Sequence, residues 1–315
     1  MTDMQRGLTQ RRPIQNAYFY QCFGLRIRSD IAFAELDPAP EGDVDLYIRL
    51  GPELDPEEFQ AAIENRRPDG SAFLGKRMDF GAVGRYDITD DTITISPVIG
   101  IRHPDLSLPL LGPVLATYLH RRGMLILHGN AVLLKDGLTV FVGDSGAGKS
   151  TTGGWFASNV GTLFTDDILP VRIAADGTPW VEPGYALVKL SSAAVEAFAP
   201  ADAKILPVSF EGYPKLRVRL SRPAMPQTST IRRICVLRRG EEAGYERLND
   251  FAGFRAMVEH TYMAKYRDAF TSAERKALHL KQCSAVSRNV EIAILTVPSG
   301  IDRLHEVLSV LEAAE

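Results

Sequence analysis

Cysteine is scarce in this chain: three in 315 residues, at Cys22, Cys235 and Cys283. They are far apart and odd in number, so neither a disulfide framework nor zinc-ligand or redox spacing is present. They read as reduced, partly buried thiols. Long apolar runs are also missing. None approaches the ~20 residues that span a bilayer. The opening MTDMQRGLTQRRPIQNAYF has no apolar signal core, which makes the expectation cytoplasmic, with no membrane partner. The formal charge is only −3, leaving no global pull toward nucleic acid. Gly at 26 and Pro at 19 exclude collagen-like or linker-dominated sequence. What remains, 45% apolar and 24% charged residues, is the usual make-up of a globular protein. The length suits one large or two ordinary domains and a sizeable core.

The chain divides near residue 105. Residues 1–16 form a polar start, and 18–104 read as mostly β. AYFYQCFGLRIRSD has strand-like content, DVDLYIRLG alternates, and RYDITDDTITISPV suits a hairpin or two short strands. DPEEFQAAIENRR predicts a short helix. Acidic residues cluster between Asp30 and Glu58, as on a solvated face. Beyond 105, LLGPVLATYLHRRG has helical spacing, with Pro113 in its first turns or at a kink. MLILHGNAVLL and LTVFVG read as buried strands separated by the turn Lys135-Asp136-Gly137. A glycine-rich loop and a helix over roughly 149–158 follow, then TLFTDDILPVRI as a strand or strand pair. DRLHEVLSVLEAA closes the chain as an amphipathic helix. The prediction is a small β-rich domain over 1–104, with substrate recognition as its suggested role, and an α/β domain over 105–315.

Gly143-Asp144-Ser145-Gly146-Ala147-Gly148-Lys149-Ser150 matches the phosphate-binding loop G-x-x-x-x-G-K-S/T. Glycines let successive backbone N–H groups turn inward around a polyphosphate, and a following helix adds its positive end. Here an apolar strand precedes the loop and a helix-compatible segment over roughly 149–158 follows it, with the nucleotide-binding residues running from Gly143 through Thr151. Lys149 would reach the β- and γ-phosphates of a nucleotide such as ATP, and the Ser150 hydroxyl would ligate Mg²⁺. Asp166-Asp167 follows a strand-like TLFT. Alone, such a pair reads as a turn. After a phosphate loop, one aspartate suits Mg²⁺ and the other suits orienting or deprotonating a hydroxyl. His128, between Leu127 and Gly129, reads by itself as a core histidine.

The run LHGNAVLLKDGLTVFVGDSGAGKSTT…LFTDD resembles the catalytic domain of HPr kinase/phosphorylase and its relatives. The resemblance is strong over about 120–170 and loose over 105–310. It implies a P-loop kinase domain with a mixed sheet, and ATP- and Mg²⁺-dependent phosphorylation of a serine hydroxyl in a peptide or small protein. By position, Asp166 would be the general base, Asp167 would support metal and substrate, and His128 would sit near the reacting phosphate. Glu182 approximates an acidic family position, either a further metal ligand or an exposed loop glutamate. Thr151-Thr152 stand where the bifunctional enzymes carry an acid after the loop serine. The chain is thus more similar to the single-activity relatives, some of which phosphorylate lasso-peptide precursors. Relatives are commonly homo-oligomers.

From Gly212 to Arg239 there are eight basic residues and no acidic one. KLRVRL alternates, so Lys215, Arg217 and Arg219 share a strand face. With Arg233, Lys215 and Arg217 are candidate cations for the transferred phosphate or an acidic peptide; the alternative is a solvated basic face. Pro223 and Pro226 suggest a mobile loop closing over substrate. Without an aromatic platform, nucleic acid is the poorer partner. The expected function is a serine kinase. A small-molecule kinase sharing every motif and a non-catalytic ATP-binding regulator are the alternatives.

Overall fold

Alternation of apolar and polar residues builds the first sheet. In the computed structural model, which describes residues 17–66, 76–207, 214–262 and 272–314, β1 (Tyr18–Cys22) and β2 (Leu25–Ser29) form a hairpin. Leu25 and Ile27 of β2 point inward, and Arg26 and Arg28 face outward. The expected polar start and the Gly212 end of the basic stretch lie outside the described residues. β3 (Asp37–Pro38), β4 (Leu46–Leu50), β5 (Arg77–Phe80), β6 (Gly84–Ile88) and β7 (Thr92–Pro97) complete a seven-stranded sheet in the order β3-β1-β2-β4-β7-β6-β5. RYDITDDTITISPV is the β6–β7 hairpin. Between β4 and β5, α1 (Pro56–Arg66) starts where the Asp55 carboxylate accepts N–H bonds from Glu57 and Glu58 at 3.0 Å.

One face of this sheet is covered by α2 (His103–Pro109), a π-helical turn over Leu110–Val114, and α3 (Leu115–Arg121). Leu106, Leu110, Val114 and Leu115 pack with Ile27, Ile48, Ile93 and Ile95 in one core. The helix is interrupted where Gly112 leaves helical geometry beside Pro113, which removes a backbone donor. The position 104/105 falls inside α2, and the helices after it belong to the core of the first sheet.

The second sheet has eight strands. β8 (Leu125–Leu134) is long: its first half pairs with β11 and its second half with β9 (Gly137–Val142) and β10 (Thr162–Thr165). Between β9 and β10 runs α4 (Lys149–Asn159). β11 (Ile168–Ile173), β12 (Pro179–Val181), β16 (Ser229–Arg239), β17 (Gly244–Arg247) and β18 (Glu291–Val297) continue the sheet. β9, β16 and β18 are parallel. β10 shares their direction, because β9 and β10 both run antiparallel to β8. The C-terminal ends of all four strands therefore open on one edge, the usual position for a ligand in α/β sheets. On one face α4 and α8 (Leu304–Glu312) bury Phe156, Leu304, Val307 and Leu311. On the other, α6 (Asp250–Glu259) and α7 (Ala273–Asn289) bury Met257, Cys283 and Val286.

β13 (Leu187–Leu190), β14 (Lys204–Leu206) and β15 (Leu216–Arg219) form a small antiparallel sheet, with α5 (Ser192–Phe198) between β13 and β14. It bridges the two larger units: Leu187 joins the core of the first sheet, and Val188, Leu190 and Val218 join the α4 side of the second. All three cysteines are buried and free. Among the described residues no helix is long and apolar enough to cross a membrane.

Candidate active site

β9 ends at Val142 and the chain turns through the glycine-rich loop into α4. Gly146 holds φ +85 with open space around its Cβ position, so conformation rather than crowding calls for glycine there. Gly148, at φ +99, is both left-handed and tight against the Arg239 guanidinium, which a Cβ would meet at 2.6 Å. As the residue before α4, Gly148 brings no capping side chain, so the N–H groups of the first helical turn face the loop. The Lys149 ammonium folds back over the loop and donates to the carbonyls of Gly143 at 2.7 Å and Asp144 at 3.0 Å. Burial lowers its pKa, the carboxylates of Asp167, Asp166 and Asp144 oppose this, and Lys215 adds to it. Asn130, fully buried on β8, donates from Nδ2 to the Lys149 carbonyl at 2.5 Å. Gly153 makes room for it, because a Cβ there would collide with the Asn130 amide.

The turn from β10 to β11 brings the two aspartates to the same edge. Asp166 is buried, with Oδ1 3.5 Å from Ser150 Oγ and Oδ2 accepting the Lys189 backbone N–H at 3.4 Å. Burial, and secondarily the Asp167 charge, push its pKa up to about 6; the Lys189 charge and hydrogen bonds work against them. Asp167 sits at φ +73, a left-handed conformation that aspartate tolerates better than most residues. Its Oδ2 receives Lys189 Nζ at 2.5 Å. Lys189 therefore touches both carboxylates from β13. The only trace of it in the sequence is a lone cation in the apolar strand LVKL.

His128 pairs in register with Ile168, two residues past Asp166. Its backbone N–H donates to the His260 carbonyl at 2.9 Å, and its ring lies 5.3 Å from that of Tyr262. His260, which nothing in the sequence singled out, has its pKa lowered by burial, with the Asp144 charge opposing and Lys149 adding to the effect. That coupling places His260 within electrostatic reach of the loop. Beside the first turn of α4, a cavity of about 240 Å³ is lined by Thr151, Thr152, Ser191, Arg239, Ile301 and Leu304.

Three expected site residues point elsewhere. The Glu182 carboxylate accepts from Arg172 Nε at 3.0 Å and packs against Gly24 of the first sheet. Among the described residues no group of three His, Cys, Asp or Glu side chains is placed to hold a metal, so Glu182 does not join Asp166 and Asp167. Arg217 is buried, pairs with Glu35 and donates to Ser107 Oγ at 3.0 Å. Arg233 is buried too, pairs with Asp136 and donates to the Leu311 carbonyl at 3.3 Å. It lies opposite Thr139, near the start of β9, roughly 10 Å along the strand from the loop end. Lys215 alone of the three candidate cations is exposed and acts on Lys149.

Part of the basic stretch and part of the acidic cluster meet: Arg217, Arg219 and Arg222 face Glu35 and Asp37. Besides the Arg217–Glu35 pair, Arg219 meets Asp37 at 2.5 Å, and Arg222 pairs with Asp37 and donates to the Gly184 carbonyl at 2.6 Å. The segment around Pro223 and Pro226 is irregular, with Arg222 anchoring its start.

No family model matches the chain, and no curated protein matches it. In structure it is similar to the HPr(Ser) kinase/phosphatase from Coxiella burnetii, with 6% sequence identity and a TM-score of 0.31, covering 60% of this chain and 95% of that one. A likeness of that degree fixes neither a function nor a shared site.

Proposed function

We propose that this chain is a cytoplasmic phosphotransferase that moves the γ-phosphoryl group of ATP to a serine hydroxyl of a peptide or small protein. The observation that carries it is Asp166: a buried carboxyl with its pKa raised to about 6, 3.5 Å from Ser150 Oγ, on the strand edge that also presents Lys149. A base of that proton affinity suits a hydroxyl acceptor near neutral pH.

The residues fit the groups such a reaction needs. Left-handed glycines at 146 and 148, the uncapped start of α4 and the Lys149 ammonium form a donor-rich cradle for a polyphosphate. The Ser150 hydroxyl and the Asp167 carboxylate are hard oxygen donors of the kind Mg²⁺ takes, which leaves Asp166 as the base. Bound Mg²⁺ would supply charge neutralisation at the phosphates. The cavity bordered by Thr151 and Arg239 supports placing the nucleoside there.

Asp166 accepts the proton of the serine hydroxyl as its oxygen bonds to the γ-phosphorus. The bond from that phosphorus to the β-bridging oxygen breaks, and the electron pair leaves with ADP. Lys149 holds the charge on the transferring oxygens. Lys189 fixes Asp167 and keeps the proton affinity of Asp166 from rising further. His128 closes the same edge.

The test is transfer from γ-labelled ATP, with Mg²⁺, into host lysate, run beside Lys149→Ala and Asp166→Asn. A labelled polypeptide that disappears with both variants is the expected result. Label found only in low-mass metabolites would assign a small-molecule acceptor, and ATP binding without any transfer would assign a regulator.

A further inference from the structure

Between the end of α3, the far ends of β11 and β12, and one face of α7 lies a cavity of about 580 Å³. It is remote from the phosphate loop. Arg172 on its wall is six residues beyond Asp166, roughly 15–20 Å along the chain. Arg122, Arg172 and Lys281 border it, and among the described residues its lining contains no acidic one. Met124, Trp180 and Leu278 supply apolar surface.

We infer that this cavity is a binding site for a small organic anion with a flat apolar body, such as an aromatic carboxylate or an aromatic phosphate ester. The volume falls in the range of about 300–1,000 Å³ occupied by ligand sites. Two features orient a planar anion. The Arg172 guanidinium lies 5.5 Å from the centre of the Trp180 ring, a stacked pair that a flat ligand extends. Arg122 is held by the Tyr118 hydroxyl at 3.0 Å, so its charge is oriented before a ligand arrives. Glu182 offsets Arg172 from outside the lining, which leaves Arg122 and Lys281 as the excess positive charge. An inorganic anion would leave Met124, Leu278 and Trp180 uncovered. A neutral hydrocarbon would desolvate the cations without pairing them. This inference is independent of the proposed kinase activity.

The probe is 1-naphthoate, with neutral 1-naphthalenemethanol as its partner, titrated by calorimetry into the full chain. Labelling with 5-fluorotryptophan gives one ¹⁹F signal each for Trp155 and Trp180, the two tryptophans of the chain. Naphthoate is expected to bind saturably, to shift the Trp180 signal and not that of Trp155, and to bind at least about tenfold tighter than the alcohol. Lys281→Glu and Arg122→Glu, both at exposed positions, are each expected to weaken naphthoate by about five- to tenfold, Lys281→Glu with unchanged melting temperature. Equal binding of acid and alcohol, full affinity in the Arg122→Glu/Lys281→Glu double variant, or an unshifted Trp180 signal would each overturn the site.

Discussion

Two groups of cations in this molecule carry the same charge and do opposite things. At the open edge of the eight-stranded sheet, Lys149, Lys189 and Lys215 gather around the loop and the aspartate pair. Between the sheets, Arg217, Arg219 and Arg222 are bound to Glu35 and Asp37, and within the eight-stranded sheet Arg233 is bound to Asp136. The three cations around the aspartate pair are lysines, flexible point charges that follow a phosphate or a carboxylate, with Arg239 beside them against Gly148. The second group is all arginine, whose rigid fork satisfies several acceptors at once and remains charged where it is buried. A run of basic residues thus says little about binding until the acidic partners are known.

The sharpest break in that comparison comes from Asp166→Asn. It is expected to reduce phosphoryl transfer by about 10³-fold. It is also expected to stabilise the metal-free protein at alkaline pH. A carboxyl with its pKa raised to about 6 binds more protons folded than unfolded, so the stability it allows declines as pH rises from its ordinary range toward 6. Removing the charge returns roughly 2–3 kcal/mol at pH 8 and almost nothing at pH 4. Denaturant unfolding at the two pH values checks this. A stability difference between variant and unaltered protein that is the same at both pH values would contradict the buried, charge-strained carboxyl.

Glu35→Ala breaks the other group. It leaves the Arg217 charge buried without its carboxylate, at an expected cost of about 3–5 kcal/mol. Chemical denaturation reads that loss. The fraction still folded is expected to transfer phosphate at the unaltered rate, and a matching loss of kcat would join the two groups functionally.

Lys189→Met tests the boundary between them, because β13 pairs Lys189 with Arg217. Losing its charge removes an influence that lowers the Asp166 pKa. The acid limb of the pH–rate profile is expected to move to higher pH than in the unaltered protein. No movement would make Lys189 a structural ion-pair partner only. The smallest effect belongs to Lys215→Ala. Being exposed, it is expected to raise the KM for ATP only severalfold, and less at high salt.

The elements of the site that are contiguous in sequence are legible there. The phosphate cradle is eight consecutive residues, its strand and helix flank it directly, and Asp166-Asp167 adjoin a short apolar strand. The β6–β7 hairpin and α8 follow from alternation and helical spacing for the same reason. Lys189 and His260 reach the site from a strand and a helix distant in sequence, and neither lies in a pattern that marks it; Arg239 and Asn130 fall in the basic stretch and the LHGNAVLL run, where nothing distinguishes them from their neighbours. The acidic cluster and the basic stretch each read as a solvated face, because more than 180 residues separate Glu35 from Arg219.

By itself the sequence determined the glycine positions where the backbone must turn left-handed, the loop lysine and serine, the carboxylate pair and the apolar strands around them. Those properties depend on neighbours within a few residues. The tertiary structure decided which charges remain available. Burial raised the pKa of Asp166, pairing on the first sheet removed Arg217, and the register of β16 against β9 carried Arg233 to the far end. Solvent exclusion and ion pairing are set by whatever the fold packs against a side chain, and that information is spread over the whole chain.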